Sequence, residues 1–76
     1  MGYITIHVNN RAGLKTTVRV SPEDTVQDLL RVIGAQLGLN WKAIQLHAGE
    51  FWYTSQSALL IKETNMSDNQ CFDFLT

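Results

Sequence analysis

Along residues 3–8 the side chains alternate: Ile4, Ile6 and Val8 share one side, and Tyr3, Thr5 and His7 share the other. A period of two carried by β-branched residues predicts a half-buried strand. Asn9-Asn10-Arg11-Ala12-Gly13 breaks the pattern with residues that tolerate positive φ, which predicts a hairpin loop. Alternation resumes over Lys15–Val20, with Thr16, Val18 and Val20 in phase, so the two runs form a β-hairpin. Pro22 has no N–H for a ladder and ends the second strand. The period then changes. Val26, Leu29, Leu30, Ile33 and Leu37 recur at helical spacing and make one apolar stripe, with Gln27, Asp28, Arg31 and Gln36 on the other side. Thr25 is the predicted N-cap, with Asp28 three residues later near the positive end of the helix. Gly38 supplies the left-handed C-cap.

Past the connector Asn40-Trp41-Lys42, the segment Ala43–His47 alternates as a third strand. Ala48-Gly49-Glu50 reads as a tight turn and Phe51-Trp52-Tyr53 as a short fourth strand. Thr54 to Ser57 is polar loop; Ala58–Ile61 fits either a helical turn or a strand by periodicity alone. Asn65–Gln70 is turn-like, and Cys71–Leu75 closes the chain as a last strand with Phe72 and Phe74 in phase. The expected fold class is α+β: a mixed sheet of four to five strands with one helix covering one face. With the helix as crossover, the first strand is expected at the centre and the final strand beside it, the β-grasp arrangement. Residues 1–76 are expected to form one domain.

Composition narrows the function. Hydrophobic residues make up 45% and charged residues 17%, which argues against disorder. Six Lys+Arg against seven Asp+Glu give a formal charge of −1, without the basic excess of a nucleic-acid binder. No apolar run approaches the roughly 18 residues of a membrane helix. MGYITIHVNN lacks the basic start and apolar core of a signal peptide, so the Asn65-Met66-Ser67 sequon is expected to stay unmodified. One Cys forms no intrachain disulfide, and no Cys/His spacing suits zinc; a reduced intracellular chain without metal or cofactor is expected. A Gly-rich phosphate loop, a carboxylate pair and a Ser/His/Asp arrangement are all missing, which argues for a non-enzyme. Cys71 falls out of phase with Phe72 and Phe74 and has no evident base or orienting partner, so it reads as an inert thiol. His7 and His47 read as solvated strand residues. Trp41, Phe51, Trp52 and Tyr53 read as an aromatic cluster of core or rim, with a partner surface as the alternative.

A family resemblance covers residues 4–46 without a gap. Asn9-Asn10-Arg11-Ala12-Gly13-Leu14-Lys15, Glu23-Asp24-Thr25-Val26-Gln27-Asp28-Leu29, Ala35-Gln36-Leu37-Gly38 and Trp41 followed by Ile44-Gln45-Leu46 resemble the Hub-type ubiquitin-like modifiers. That family shows an N-x-R-x-G-x-K turn, a D-D-T-I-x-D-L helix entry, an A-A-Q-T-G helix exit and a Trp before an I-x-L strand. Ser21-Pro22-Glu23-Asp24-Thr25 also parallels the E-P-S-D-T of ubiquitin. Beyond residue 47 the likeness loosens, and the family's paired C-terminal tyrosines are replaced by Leu75-Thr76. The resemblance implies a nuclear and cytoplasmic monomer that binds, without conjugation, helical Hub-interacting elements of spliceosomal proteins and influences pre-mRNA splicing. No direct contact with nucleic acid or membrane is expected. Two alternatives stand beside it: a docking domain of a larger protein, and a modifier whose conjugation tail has been removed. A final strand running to Leu75, with no glycine tail, argues against conjugation of the chain as it stands.

The same resemblance proposes the site. Asp24 matches the second Asp of the D-D-T entry, which receives an Arg of the partner helix, and Glu23 matches the first. A carboxylate beside a helix N-terminus is well placed to accept a bidentate guanidinium; the competing reading is that Asp24 only organises the helix entry. Asp24, Glu23, Arg11 and Trp41 are the expected partner-binding residues. His47 stands where ubiquitin's recognition surface has an outward isoleucine, which implies poor binding to ubiquitin receptors.

Overall fold

The computed structural model describes residues 2–76. The hairpin forms as the alternation requires. Strand β1 (Ile4–Asn9) pairs antiparallel with β2 (Lys15–Val20), from Ile4 opposite Val20 to Asn9 opposite Lys15. Between them the Asn10 side chain accepts the Leu14 N–H at 2.9 Å, and Gly13 takes φ +86°. Helix α1 runs Val26–Leu37 and ends at Gly38 in the left-handed conformation. Its stripe of Val26, Leu29, Leu30 and Ile33 is fully buried.

Three more strands complete the sheet: β3 (Gln45–Ala48), β4 (Phe51–Tyr53) and β5 (Gln70–Leu75). The order is β2-β1-β5-β3-β4, with β1 parallel to β5 and the other pairs antiparallel. The sheet therefore has five strands, and β5 rather than β1 occupies the middle. A short polar turn cannot join parallel neighbours, so α1 and the strands that follow it carry the chain back beside β1. Ile6, Val8, Val18, Val20, Ile44, Leu46, Tyr53, Ile61, Phe72 and Phe74 meet the helix in one core.

Several strand ends shift by a single residue, and two segments depart further from the periodicity, each for a local reason. Trp41–Ala43 winds into a 3-10 turn because the Asn40 side chain accepts the Lys42 N–H at 3.1 Å, so β3 starts at Gln45 rather than Ala43. The Ala58–Ile61 segment is neither alternative alone. Leu60 forms a bridge to Thr25, and a 3-10 turn begins at Ile61, whose side chain fills the core.

Gly34 is the one helical position where a side chain would collide with backbone: a Cβ would lie 2.8 Å from the Leu39 carbonyl oxygen and 3.1 Å from the Trp41 Cβ. Gly34→Ala gains up to about 1 kcal/mol of helix propensity but must displace the chain that follows the helix. We expect a net loss of roughly 1–3 kcal/mol, read as a lower urea midpoint at unchanged slope. An equal or higher midpoint would show that the Leu39 turn yields freely.

Candidate functional site

Residues 21–28 form a rigid corner where β2 hands over to α1. The Asp24 N–H donates to the Ser21 carbonyl at 2.9 Å, and the Asp24 Oδ2 accepts the Ser21 N–H at 2.9 Å. The Glu23 N–H donates to Ser21 Oγ at 3.1 Å. Next comes a reciprocal cap: the Asp28 N–H donates to Thr25 Oγ1 and the Thr25 N–H to Asp28 Oδ2, each at 3.1 Å. The Thr25 N–H first, and the Thr25 side chain after it, hold the Asp28 carboxyl below its usual range, with a smaller pull from Arg31.

A second strand of chain clamps this corner. Ile61 N–H donates to the Asp24 carbonyl at 2.7 Å, Lys62 N–H to the Pro22 carbonyl at 3.0 Å, and Val26 N–H to the Leu59 carbonyl at 3.0 Å. Lys62 Nζ also reaches Glu23 Oε2 at 3.0 Å, an exposed ion pair worth little by itself. Sequence reasoning missed this clamp, because the segment around Leu59–Lys62 has no periodic signature.

The expected residues do not converge on one spot. Asp24 and Glu23 share the corner. Asp24 is half-buried rather than exposed, because its Oδ2 is engaged by the Ser21 N–H; among the described residues its Oδ1 has no partner. Trp41 lies toward the other end of the helix, half-buried, with the Arg31 guanidinium 4.6 Å from its ring centre. Arg11 is exposed at the tip of the β1–β2 hairpin and lines a groove with His47, Trp52 and Asp73, not with the acidic pair.

The aromatic residues are likewise dispersed rather than clustered. Tyr53 is buried edge-on against Phe72 at 6.0 Å, whereas Phe51 and Trp52 are exposed. His47 is less solvated than a free strand residue: its ring stacks on Trp52 at 4.4 Å, and its Nε2 lies 4.0 Å from Asp73 Oδ2. Cys71 is exposed, on the side away from Phe72 and Phe74. Among the described residues, no three His, Cys, Asp or Glu side chains are grouped to hold a metal. No described helix is long and apolar enough to cross a membrane.

No family model matches the chain. Over 51 residues it is 41% identical to ubiquitin-like protein 5 of Drosophila melanogaster, a match covering 67% of this chain and 66% of that protein. Over 43 residues it is 40% identical to ubiquitin-like protein 5 of Dictyostelium discoideum, covering 57% of this chain and 64% of that protein. The chain thus spans just under two thirds of the length of these curated relatives. Among solved structures it resembles the ubiquitin-like domain of an Arabidopsis thaliana protein, with a TM-score of 0.85 at 17% identity over 99% of this chain and 78% of that one. It also resembles the ubiquitin-like domain of Plasmodium falciparum Dsk2, with a TM-score of 0.81 at 15% identity over 95% of each chain. At such identities these two likenesses speak for the fold alone.

The cap gives a pH prediction. The Asp28 carboxyl titrates lower in the folded chain than in the unfolded one, so the folded state binds fewer protons in acid. Its contribution is complete above the unfolded value and is lost as pH falls through the folded one. Asp28→Asn should therefore be less stable at neutral pH and lose less stability than the parent as pH falls through and below the ordinary aspartate range, followed by thermal melts. Parallel acid limbs would remove Asp28 as a source of the slope.

Proposed function

We infer, from the premise that this chain belongs to the ubiquitin-like family and is related to its Hub-type members, that it acts by non-covalent docking rather than by catalysis. The partner in this reading is a helical, Arg-bearing element of the Hub-interacting kind, carried by spliceosomal proteins, and the consequence is a change in pre-mRNA splicing. Work in the nucleus and cytoplasm follows from such a partner.

The observation that carries the reading is the rigid acidic corner. Two carboxylates, Asp24 and Glu23, project from a turn fixed by bonds to Ser21 on one side and from Ile61 and Lys62 on the other. Such a corner loses little freedom when a guanidinium arrives. The uncommitted Asp24 Oδ1 offers one acceptor to an arriving guanidinium. An exposed pair contributes only about 0.2–1 kcal/mol, so most of the affinity must come from apolar contact around it. Asp24 thus serves two ends, organising the helix entry and facing the partner.

Asp24→Asn separates them, because the amide oxygen still accepts the Ser21 N–H while the charge is gone. Calorimetry with a helical Hub-interacting peptide should show binding to the parent, binding weakened about threefold to tenfold by Asp24→Asn, and a melting temperature within a few degrees of the parent. The loss should vanish when the peptide Arg is replaced by Ala. Equal affinity of parent and variant for the Arg peptide would take Asp24 out of the docking surface.

A further inference from the structure

The flank of α1 carries opposite charge toward its two ends. Glu23 and Asp24 stand before its first turn, and Asp28 lies within that turn. Toward the other end, Trp41 packs closely where Gly34 has no side chain, since a Cβ there would lie 3.1 Å from the Trp41 Cβ. Two cations gather on the half-buried indole: the Arg31 guanidinium at 4.6 Å and the Lys42 ammonium at 5.8 Å from the ring centre. Arg31 also meets Asp28 at 3.5 Å, whereas Lys42 takes part in no ion pair among the described residues. Two positive charges are thus brought to one ring, with one carboxylate to answer them.

A path of hydrogen bonds ties the two ends together. The Val26 N–H donates to the Leu59 carbonyl at 3.0 Å, Gln27 Nε2 to the Ser55 carbonyl at 2.8 Å, and Ser55 Oγ to the Lys42 carbonyl at 3.3 Å. The chain from Ser55 to Leu59 is therefore held alongside the helix, and Leu59, 48% exposed, is the large apolar side chain on that path. Asp24 and Arg31 are seven positions apart in sequence, which on a helix is roughly two turns, or about 10 Å. A partner helix answers both ends at once if it carries an arginine and, seven residues away on the same face, a carboxylate. Carboxylates suit the N-terminal half of a helix and cations the C-terminal half. The favoured partner therefore has its carboxylate first and lies antiparallel to α1.

We propose that Arg31 and Lys42, presented on Trp41, set the polarity of the docked helix by receiving a carboxylate seven residues before its arginine. The inference rests on the helical-element reading above: Asp24 holds one end of the partner, the cations on Trp41 hold the other, and Leu59 receives an apolar side chain between them. One exposed ion pair does not distinguish a forward helix from a reversed one. Two pairs of opposite sense do, because the reversed helix sets like charges against each other at both ends.

The test is calorimetry with the helical Hub-interacting peptide in two forms, the residue seven before its arginine being Glu in one and Lys in the other. The Glu form should bind the parent about threefold to tenfold more tightly. Lys42→Glu, exposed and unpaired, should reverse that order and keep the melting temperature within a few degrees. The losses from Asp24→Asn and Lys42→Glu on the Glu form should multiply, since the two sites are far apart. A nitroxide on the peptide N-terminus should broaden the amide signals of residues 39–42, and one on its C-terminus those of residues 22–25. Equal affinity of the two forms, with Asp24→Asn still weakening both, would overturn this proposal and leave the docking reading standing. No binding of either form to the parent would remove both. A dimer in sedimentation that Lys42→Glu dissolves would also overturn it, assigning the flank to a second copy of the chain.

Discussion

The apolar stripe of α1 has only one place to go. Val26, Leu29, Leu30 and Ile33 are fully buried, and the surface that buries them is the inner face of the sheet. A chain of 76 residues with a single cysteine, and with no metal-holding cluster among the described residues, rests on its apolar core. Each strand must therefore present its apolar phase to the helix, which fixes every register by the alternation of side chains. The same constraint sets what is left outside. Once Phe72 and Phe74 point inward, Cys71, Asp73 and Leu75 point outward, and once Tyr53 is buried, Trp52 is exposed.

That burial also dictates the helix entry. Ile61 must reach the core from a segment with no long strand or helix of its own, and it does so by running against residues 22–26. The backbone bonds from Ile61 to Asp24 and from Lys62 to Pro22 make the corner stiff. Asp24 is thereby drawn into the structure of the turn, with one oxygen committed to Ser21. In the proposed docking, Asp24 would meet a partner from a fixed position but with only one carboxylate oxygen uncommitted by the turn.

The two surfaces of interest lie on different sides of the sheet and differ in chemistry. The corner is acidic and belongs to the helix side. The groove lined by Arg11, Asp73, His47 and Trp52 carries both charges beside an aromatic pair and belongs to the open face. Helix packing keeps them apart, since α1 covers the face from which the groove residues are excluded.

The strands, helix and both helix caps were legible in the residues, because period two, period 3.6, Thr25 with Asp28 and Gly38 are local signals with local physical causes. The Hub-type likeness was legible in the same first half, where those signals are densest. The chain could not disclose by itself that β5 takes the middle of the sheet, that Leu59–Lys62 clamps the helix entry, or that Arg11 stands with Trp52 instead of with Asp24. Those outcomes join residues far apart in sequence, and no spacing rule reports them. They follow from where an apolar stripe finds cover, which is settled only when the whole core closes.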